Sequence, residues 1–244
     1  MINIDYSGKN ILVVGGSSGI GNGIAQAYRG AGANVHVWGT RANAQDYKAN
    51  EGSNMEGLGY SCVDVSDREA VEAASCGFDT LDILILSQGI VLYKRGEYDL
   101  DGWDKVIGIN LDSLMYCATR FKPDLTKQQG NIIIVSSVAA YRGLMGTPAY
   151  AASKSAAVSL TKSLGQSWAR EGLRVNGIAP GVVETKMTKV TTDDPKRLAA
   201  TLNTIPVGRL GETQDMAAMA LFLTSPYASY VCGQTISVDG GLTL

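Results

Sequence analysis

Short apolar runs recur along the chain, separated by stretches long enough for a helix. They fall at Ile11–Val14, Asn34–Trp38, Gly57–Val63, Asp82–Leu86, Asn131–Ser136, Arg174–Ile178 and Thr235–Val238. Their length and composition predict strands, and Ile83-Leu84-Ile85-Leu86 lacks polar alternation, as a strand covered on both faces would. Helix-compatible stretches lie between the runs, beginning with Asn22 to Tyr28. That alternation predicts an α/β fold, a doubly wound (Rossmann) parallel sheet of about seven strands with helices on both faces. No linker or low-complexity tract interrupts it, so residues 1–244 read as a single domain. Two connections stand out. Asp67 to Leu81 leaves room for only a brief helix, and Val183–Arg209 is richer in Thr, Lys and Asp, with Pro195, Pro206 and weak periodicity.

Ligands of such sheets bind beyond the carboxyl ends of the strands. At the first of those ends, Lys9–Val14 runs into Gly15-Gly16-Ser17-Ser18-Gly19-Ile20-Gly21 with helix-compatible sequence behind it. Strand, glycine turn and helix are the order a phosphate cradle requires. Gly15 permits the tight turn, the Gly16-Ser17-Ser18 backbone can approach a pyrophosphate, and Gly19 and Gly21 let the helix pack close with its N-terminal amides aimed at the anion.

Further along, Ser137 ends the fifth run, and Tyr150 and Lys154 follow four residues apart in Tyr150-Ala151-Ala152-Ser153-Lys154. On a helix, such residues share a face. An ammonium beside a phenol favours the phenolate and brings its proton exchange nearer neutral pH. Taken alone the pair is a weak signal, since a packed Tyr and a Lys reaching for solvent give the same spacing. The glycine loop changes its weight.

With both motifs present, the chain resembles the short-chain dehydrogenase/reductase family over nearly its whole length, in the style of the 3-oxoacyl-carrier-protein reductases. The family's Gly-x-x-x-Gly-x-Gly loop matches Gly15, Gly19 and Gly21, and its catalytic tetrad matches Asn110, Ser137, Tyr150 and Lys154. Asp64-Val65 resembles the pair at the adenine ring. Pro180-Gly181, with Val183 and Thr185, resembles the stretch near the nicotinamide, and Val238-Asp239-Gly240-Gly241 the C-terminal signature. The resemblance implies an NAD(P)-dependent oxidoreductase that interconverts a ketone and a secondary alcohol. Tyr150 would protonate the carbonyl oxygen as hydride arrives, Ser137 would hold that oxygen, Lys154 would tune Tyr150 and bind the nicotinamide ribose, and Asn110 would hold a relay water. Residues 183–209 would be the substrate lid. Leu144, Met145, Val182 and Met187, with Ser137 and Tyr150, would wall an apolar substrate pocket. Arg142 could meet a substrate carboxylate or face solvent.

Two positions depart from the family pattern. Val14 stands where Thr is common, and Leu86-Ser87-Gln88-Gly89 replaces Asn-Asn-Ala-Gly, with Ser87, Gln88 and Gly89 facing the cofactor. Leu86 implies apolar packing at that strand end, and Gln88 a changed pocket shape. Cofactor choice turns on Gly39-Thr40-Arg41. No carboxylate stands at the strand end to repel a 2′-phosphate, and Thr40 and Arg41 can donate to one, so NADP is expected, with NAD the alternative. The competing view of Arg41 is a solvent-facing loop residue.

Composition narrows the classes. A net charge of −2 gives no electrostatic reason for a nucleic acid or membrane partner. The four cysteines form no Cys-x-x-Cys pair and there is a single histidine, His36, on the second strand, so no metal site, disulfide framework or Ser-His-Asp hydrolase is suggested. No apolar run reaches membrane-span length, and Met1–Asp5 lacks a signal-peptide pattern, so a cytoplasmic enzyme is expected. Its partners would be a small carbonyl or alcohol substrate and further copies of itself, as a homotetramer. One other class remains, a dinucleotide sensor or regulator without turnover, which could dispense with the tetrad; an extended-branch epimerase would need a sizeable substrate domain, and the residues after Gly181 are too few for one.

Overall fold

The computed structural model describes residues 4–244, so the reading of Met1–Asp5 falls outside the described residues at Met1–Asn3. In chain order the elements are β1 (Asn10–Val14), α1 (Gly19–Gly30), β2 (Asn34–Gly39), β3 (Gly59–Cys62), α2 (Arg68–Ala73), β4 (Ile83–Leu86), α3 (Leu100–Ile107), α4 (Ser113–Lys127), β5 (Asn131–Val135), α5 (Pro148–Trp168), β6 (Arg174–Pro180), α6 (Lys189–Thr192), α7 (Pro195–Leu202), α8 (Thr213–Thr224) and β7 (Thr235–Val238). The strands form one parallel sheet in the order β3-β2-β1-β4-β5-β6-β7. The order reverses between β1 and β4, and a crevice opens at that switch point.

The alternation of side chains along the central strands divides the core. Leu12, Val14, Leu84, Leu86, Ile132 and Ile134 pack on one face with Trp38 and Phe121, while Ile11, Val13, Ile83, Ile85 and Ile133 pack on the other with Ile24, Tyr28 and Leu223. Leu86 is fully buried in the first cluster, the apolar packing its sequence position implied. Its truncation to Ala would cost about 2–5 kcal/mol. α2 is brief as expected, capped by the Asp67 carboxyl, which accepts from Glu69 N and Ala70 N.

The expected helix between the second and third strands does not form. Two 3-10 turns, Ala44–Asp46 and Ala49–Glu51, take its place, and neither buries a residue. With no apolar face to draw it onto the sheet, the segment has little to offset the cost of helix nucleation. Local polar bonds win instead: Asn43 and Asp46 cap each other reciprocally, and Gly52 turns the chain in the left-handed region at φ 71°.

Candidate active site

A cleft of about 620 Å³ lies over the carboxyl ends of β1, β4, β5 and β6. Of the sequence-predicted residues, the whole of Gly15 to Gly21 except Gly16 lines it, with Gly39, Thr40, Asp64, Val65, Ser87, Gln88, Gly89, Ser137, Tyr150, Lys154, Pro180, Gly181, Val183, Thr185 and Met187. Gly15 has φ 74°, and a Cβ there would stand 2.7 Å from Gln88 N, so the glycine turn and the end of β4 close on each other only without a side chain. α1 opens at Gly19 on the edge of this groove, where its N-terminal end is the positive end of the helix dipole. A cleft lined by the glycine turn and also by Ser137, Tyr150 and Lys154 has the donors and the room to fit a dinucleotide.

At the reacting end, α5 begins with Pro148, whose fixed φ suits a first helical turn. Two bonds tie the helix to β5: Ser136 Oγ donates to the Lys154 carbonyl at 2.7 Å, and Lys154 Nζ donates to the Val135 carbonyl at 3.0 Å. Lys154 is buried, and desolvation of its ammonium brings its pKa down to about 8. Its Nζ stands 5.8 Å from the Tyr150 ring centroid. Ser137 Oγ accepts from Ala139 N at 3.1 Å, which starts the turn that carries the chain to α5.

The expected lowering of the Tyr150 pKa does not appear. Burial pushes the phenol above its usual value, the hydrogen bond with Ser137 works against this, and the charges near it that act on it are those of Tyr93 and Glu97. The reason is physical: a buried site penalises both the phenolate and the ammonium that was meant to stabilise it.

Asn110 is fully buried one layer behind the cleft, within a π-helical turn, Gly108–Asp112, between α3 and α4. Its side chain is committed: Nδ2 donates to the Ile90 carbonyl at 2.9 Å and to Ser153 Oγ at 3.2 Å, and Oδ1 accepts from Ile90 N at 2.8 Å. Single π turns recur at functional sites because they free backbone groups from the helix ladder. Gln88, bulkier than Ala, turns into the protein, where Nε2 donates to Ser113 Oγ at 2.9 Å and Oε1 has no partner.

Other expected contacts are not brought together. Met145 is 90% exposed, Leu144 does not line the cleft, and Val182 lines a separate hollow with Ile205 and Met216. Tight turns between Ser137 and Pro148 carry Leu144 and Met145 outward; Ile90, Val91 and Tyr93 wall the reacting end in their place. Arg142 is exposed. Arg41 also misses the cleft: its guanidinium pairs with Glu51 at 2.7 Å, donates to the Asp46 carbonyl and lies 4.7 Å over the Tyr47 ring. His36 contacts Ser61 Oγ at 2.9 Å on the neighbouring strand, away from the cleft.

Two residues escaped the sequence reading. Glu97 is 1% exposed and accepts from Leu92 N at 3.0 Å and from Tyr150 N at 2.9 Å, so a buried carboxyl caps the first turn of α5 at Tyr150 itself. Tyr93 donates to the Met187 carbonyl at 2.8 Å and joins the β4–α3 loop to the far wall of the cleft. No sequence pattern marks either residue, because the partners that tie Glu97 to α5 and Tyr93 to the far wall lie 53 and 94 residues away.

Among the described residues no helix is long and apolar enough to cross a membrane, and no cluster of His, Cys, Asp or Glu could hold a metal ion. The family model described as enoyl-(acyl carrier protein) reductase matches residues 14–243. A 3-oxoacyl-(acyl-carrier-protein) reductase of Chlamydia pneumoniae is 38% identical, covering 99% of this chain and all of the relative. A 2-dehydro-3-deoxy-D-gluconate 5-dehydrogenase of Pseudoalteromonas atlantica is 39% identical over 96% of this chain and 95% of its own. Among solved structures, the RhlG/NADP active-site complex of Pseudomonas aeruginosa superposes with a TM-score of 0.86 at 31% identity, covering 99% of both chains. With that match spanning the glycine loop, the Ser137, Tyr150 and Lys154 cluster and the last strand, the chain belongs to the short-chain dehydrogenase/reductase family.

Proposed function

We propose that the protein is an NAD(P)-dependent oxidoreductase that interconverts a ketone and a secondary alcohol, with NADP(H) its preferred cofactor. The observation that carries this is the convergence of Ser137, Tyr150 and Lys154 at the end of the same cleft that the glycine loop opens. The relatives act on different compounds, a 3-oxoacyl group and a 2-dehydro-3-deoxy sugar acid by their names, and one of the similar structures is a complex with NADP. Gly15, Ser17, Ser18, Gly19, Ile20 and Gly21 hold the pyrophosphate, and Asp64 and Val65 meet the adenine. Ser87, Gln88 and Gly89 line the middle of the groove, and Pro180, Gly181, Val183 and Thr185 back the nicotinamide. A bound nicotinamide supplies or accepts the hydride.

The rest is the work of this chain's own side chains. Ser137 holds the substrate oxygen against the Tyr150 hydroxyl, which gives its proton in reduction and takes it back in oxidation. A phenol kept above its usual pKa is fully protonated at neutral pH, ready to donate. Lys154, fixed by the Val135 carbonyl, orients the nicotinamide ribose, and Asn110 fixes Ile90 and Ser153 around it. Ile90, Val91, Tyr93 and Met187 shape a mixed apolar pocket for the substrate.

In this reading the chain is one domain, with residues 183–209, which include α6 and α7, as a lid that excludes water when substrate is bound. The edge strand β7, with Tyr227 and Tyr230 exposed close to it in sequence, supports a homotetramer. Four free cysteines suit the reducing cytosol. A panel of ketones and secondary alcohols, assayed with NADPH, NADH and their oxidised forms by nicotinamide absorbance, tests the reading. Turnover is expected with at least one carbonyl class, faster with NADPH. Cofactor binding without turnover on any of them would move the assignment to a dinucleotide sensor.

A further inference from the structure

The segment between β2 and β3 forms no helix on the sheet; Met55 and Leu58 pack against the core, while the part before them runs beside the glycine-loop end of the cleft as a strap. One end is moored. Asn22, in the first turns of α1, accepts from Asn54 N at 2.7 Å and donates to the Asn54 carbonyl at 2.9 Å and the Gly16 carbonyl at 3.0 Å. Beside it, Gly19 N donates to the Gly52 carbonyl at 3.0 Å, so the strap rests on the glycine loop itself.

The other part of the strap is held by charge. A single oxygen, Glu51 Oε2, accepts from Arg41 at 2.7 Å and from Lys186, on the opposite wall of the cleft, at 2.6 Å. The two cationic nitrogens are therefore close neighbours, both within reach of one anionic oxygen. Close by, the consecutive amides of Thr40 and Arg41 converge on the Tyr47 hydroxyl at 2.9 and 3.0 Å. That hydroxyl occupies the side-chain space of Gly39: a Cβ there would be 2.5 Å from Tyr47 Oη and 2.8 Å from Ser17 Oγ. Two amides in sequence, a serine hydroxyl, a guanidinium and an ammonium form the donor set of an anion site. The protein fills it with its own Tyr47 hydroxyl and Glu51 carboxylate.

We propose that Glu51 is an internal stand-in for the 2′-phosphate of NADP(H), and that by competing for Arg41 and Lys186 it sets the preference between the phosphorylated and unphosphorylated dinucleotides. The proposal rests on the dinucleotide reading of the cleft. A phosphomonoester carries about −1.5 to −2 charges near pH 7, against one on Glu51, so it is the stronger partner for two cations. Glu51 is 33% exposed and can return to water when displaced. NAD(H) carries only a hydroxyl at the 2′ position and so no charge there with which to displace it. Occupation of the site by Glu51 lowers the apparent NADP(H) affinity by the fraction of time the latch is closed.

The test is fluorescence titration of NADPH and NADH into wild type, Glu51→Gln, and Glu51→Gln combined with Lys186→Ala. Glu51→Gln keeps the shape and removes the competing charge, so the ratio of Kd for NADH to Kd for NADPH is expected to rise about tenfold. In the double variant most of that gain is expected to vanish. An unchanged ratio in Glu51→Gln while both cofactors still bind would overturn the proposal and leave the oxidoreductase reading intact. A weakened NADH affinity would also overturn it, by showing that Glu51 serves the ribose hydroxyls. Failure of wild type to bind either cofactor would sink both.

Discussion

The two ends of the cleft are built on opposite principles. At the reacting end, Ser137, Tyr150 and Lys154 sit where the buried end of β5 meets a 21-residue helix, joined by the Ser136, Lys154 and Glu97 hydrogen bonds. At the adenosine end, an irregular strap with no buried residue in its turns is held by half-exposed ion pairs. Proton transfer needs groups fixed to fractions of an ångström. Selecting a cofactor needs only a site whose charges can change partners. Rigidity at one end and exchangeable contacts at the other suit these tasks.

The sharpest way to break this comparison is at Lys154, the buried cation that the proposed function places on the nicotinamide ribose. Lys154→Ala is expected to reduce turnover by about 10²-fold or more and to weaken cofactor binding as well. Steady-state kinetics with a separate binding titration would check both. A slower enzyme with unaltered cofactor affinity would remove the ribose role.

Glu97 comes next. Glu97→Ala leaves the amides of Leu92 and Tyr150 buried without their acceptor, at a cost of about 1–3 kcal/mol each. Denaturant unfolding is expected to show a clear loss of stability, with a rate loss because Tyr150 loosens. Glu51→Ala at the strap is expected to show a Tm indistinguishable from the parent, since exposed pairs contribute little. Equal losses from the two substitutions would erase the distinction between the ends.

Lys154 also predicts a pH dependence with opposite signs for activity and stability. With its folded pKa at about 8, below the ordinary lysine value of 10.5, the folded protein releases this proton before the unfolded chain does. The unfolded state thus binds more protons between about pH 8 and 10.5, and this group's contribution to stability rises with pH over that window. Any step that needs the ammonium fades over the same range. Reductive kcat/KM is expected to fall above about pH 8, while Lys154→Met loses the matching stability increase. A rate flat to pH 10 would contradict the assignment.

The same contrast explains what could be read from the sequence. Strands announce themselves by runs such as Ile83–Leu86, and the glycine loop and the Tyr150, Lys154 spacing are local patterns imposed by one helix each. All seven strands and the short α2 were therefore legible, as was the burial of Leu86. The strap was not, because alternation suggested a helix where Asn43, Asp46 and Gly52 make turns. Arg41 was read for its charge, while its partner Glu51 depends on the path of that strap. Glu97 and Tyr93 were missed for a related reason: their partners are amides and carbonyls, which carry no residue identity for a pattern to record. The Tyr150 pKa went the other way because spacing shows neighbours and not burial.

The central claim is that Tyr150 exchanges the substrate proton in a dinucleotide cleft. Tyr150→Phe removes the hydroxyl and keeps the ring, so it tests that claim most directly when NADPH titration and single-turnover reduction of a ketone are measured on the same preparations. The reduction rate is expected to fall at least about 10²-fold with NADPH binding retained. Reduction at the wild-type rate would contradict it.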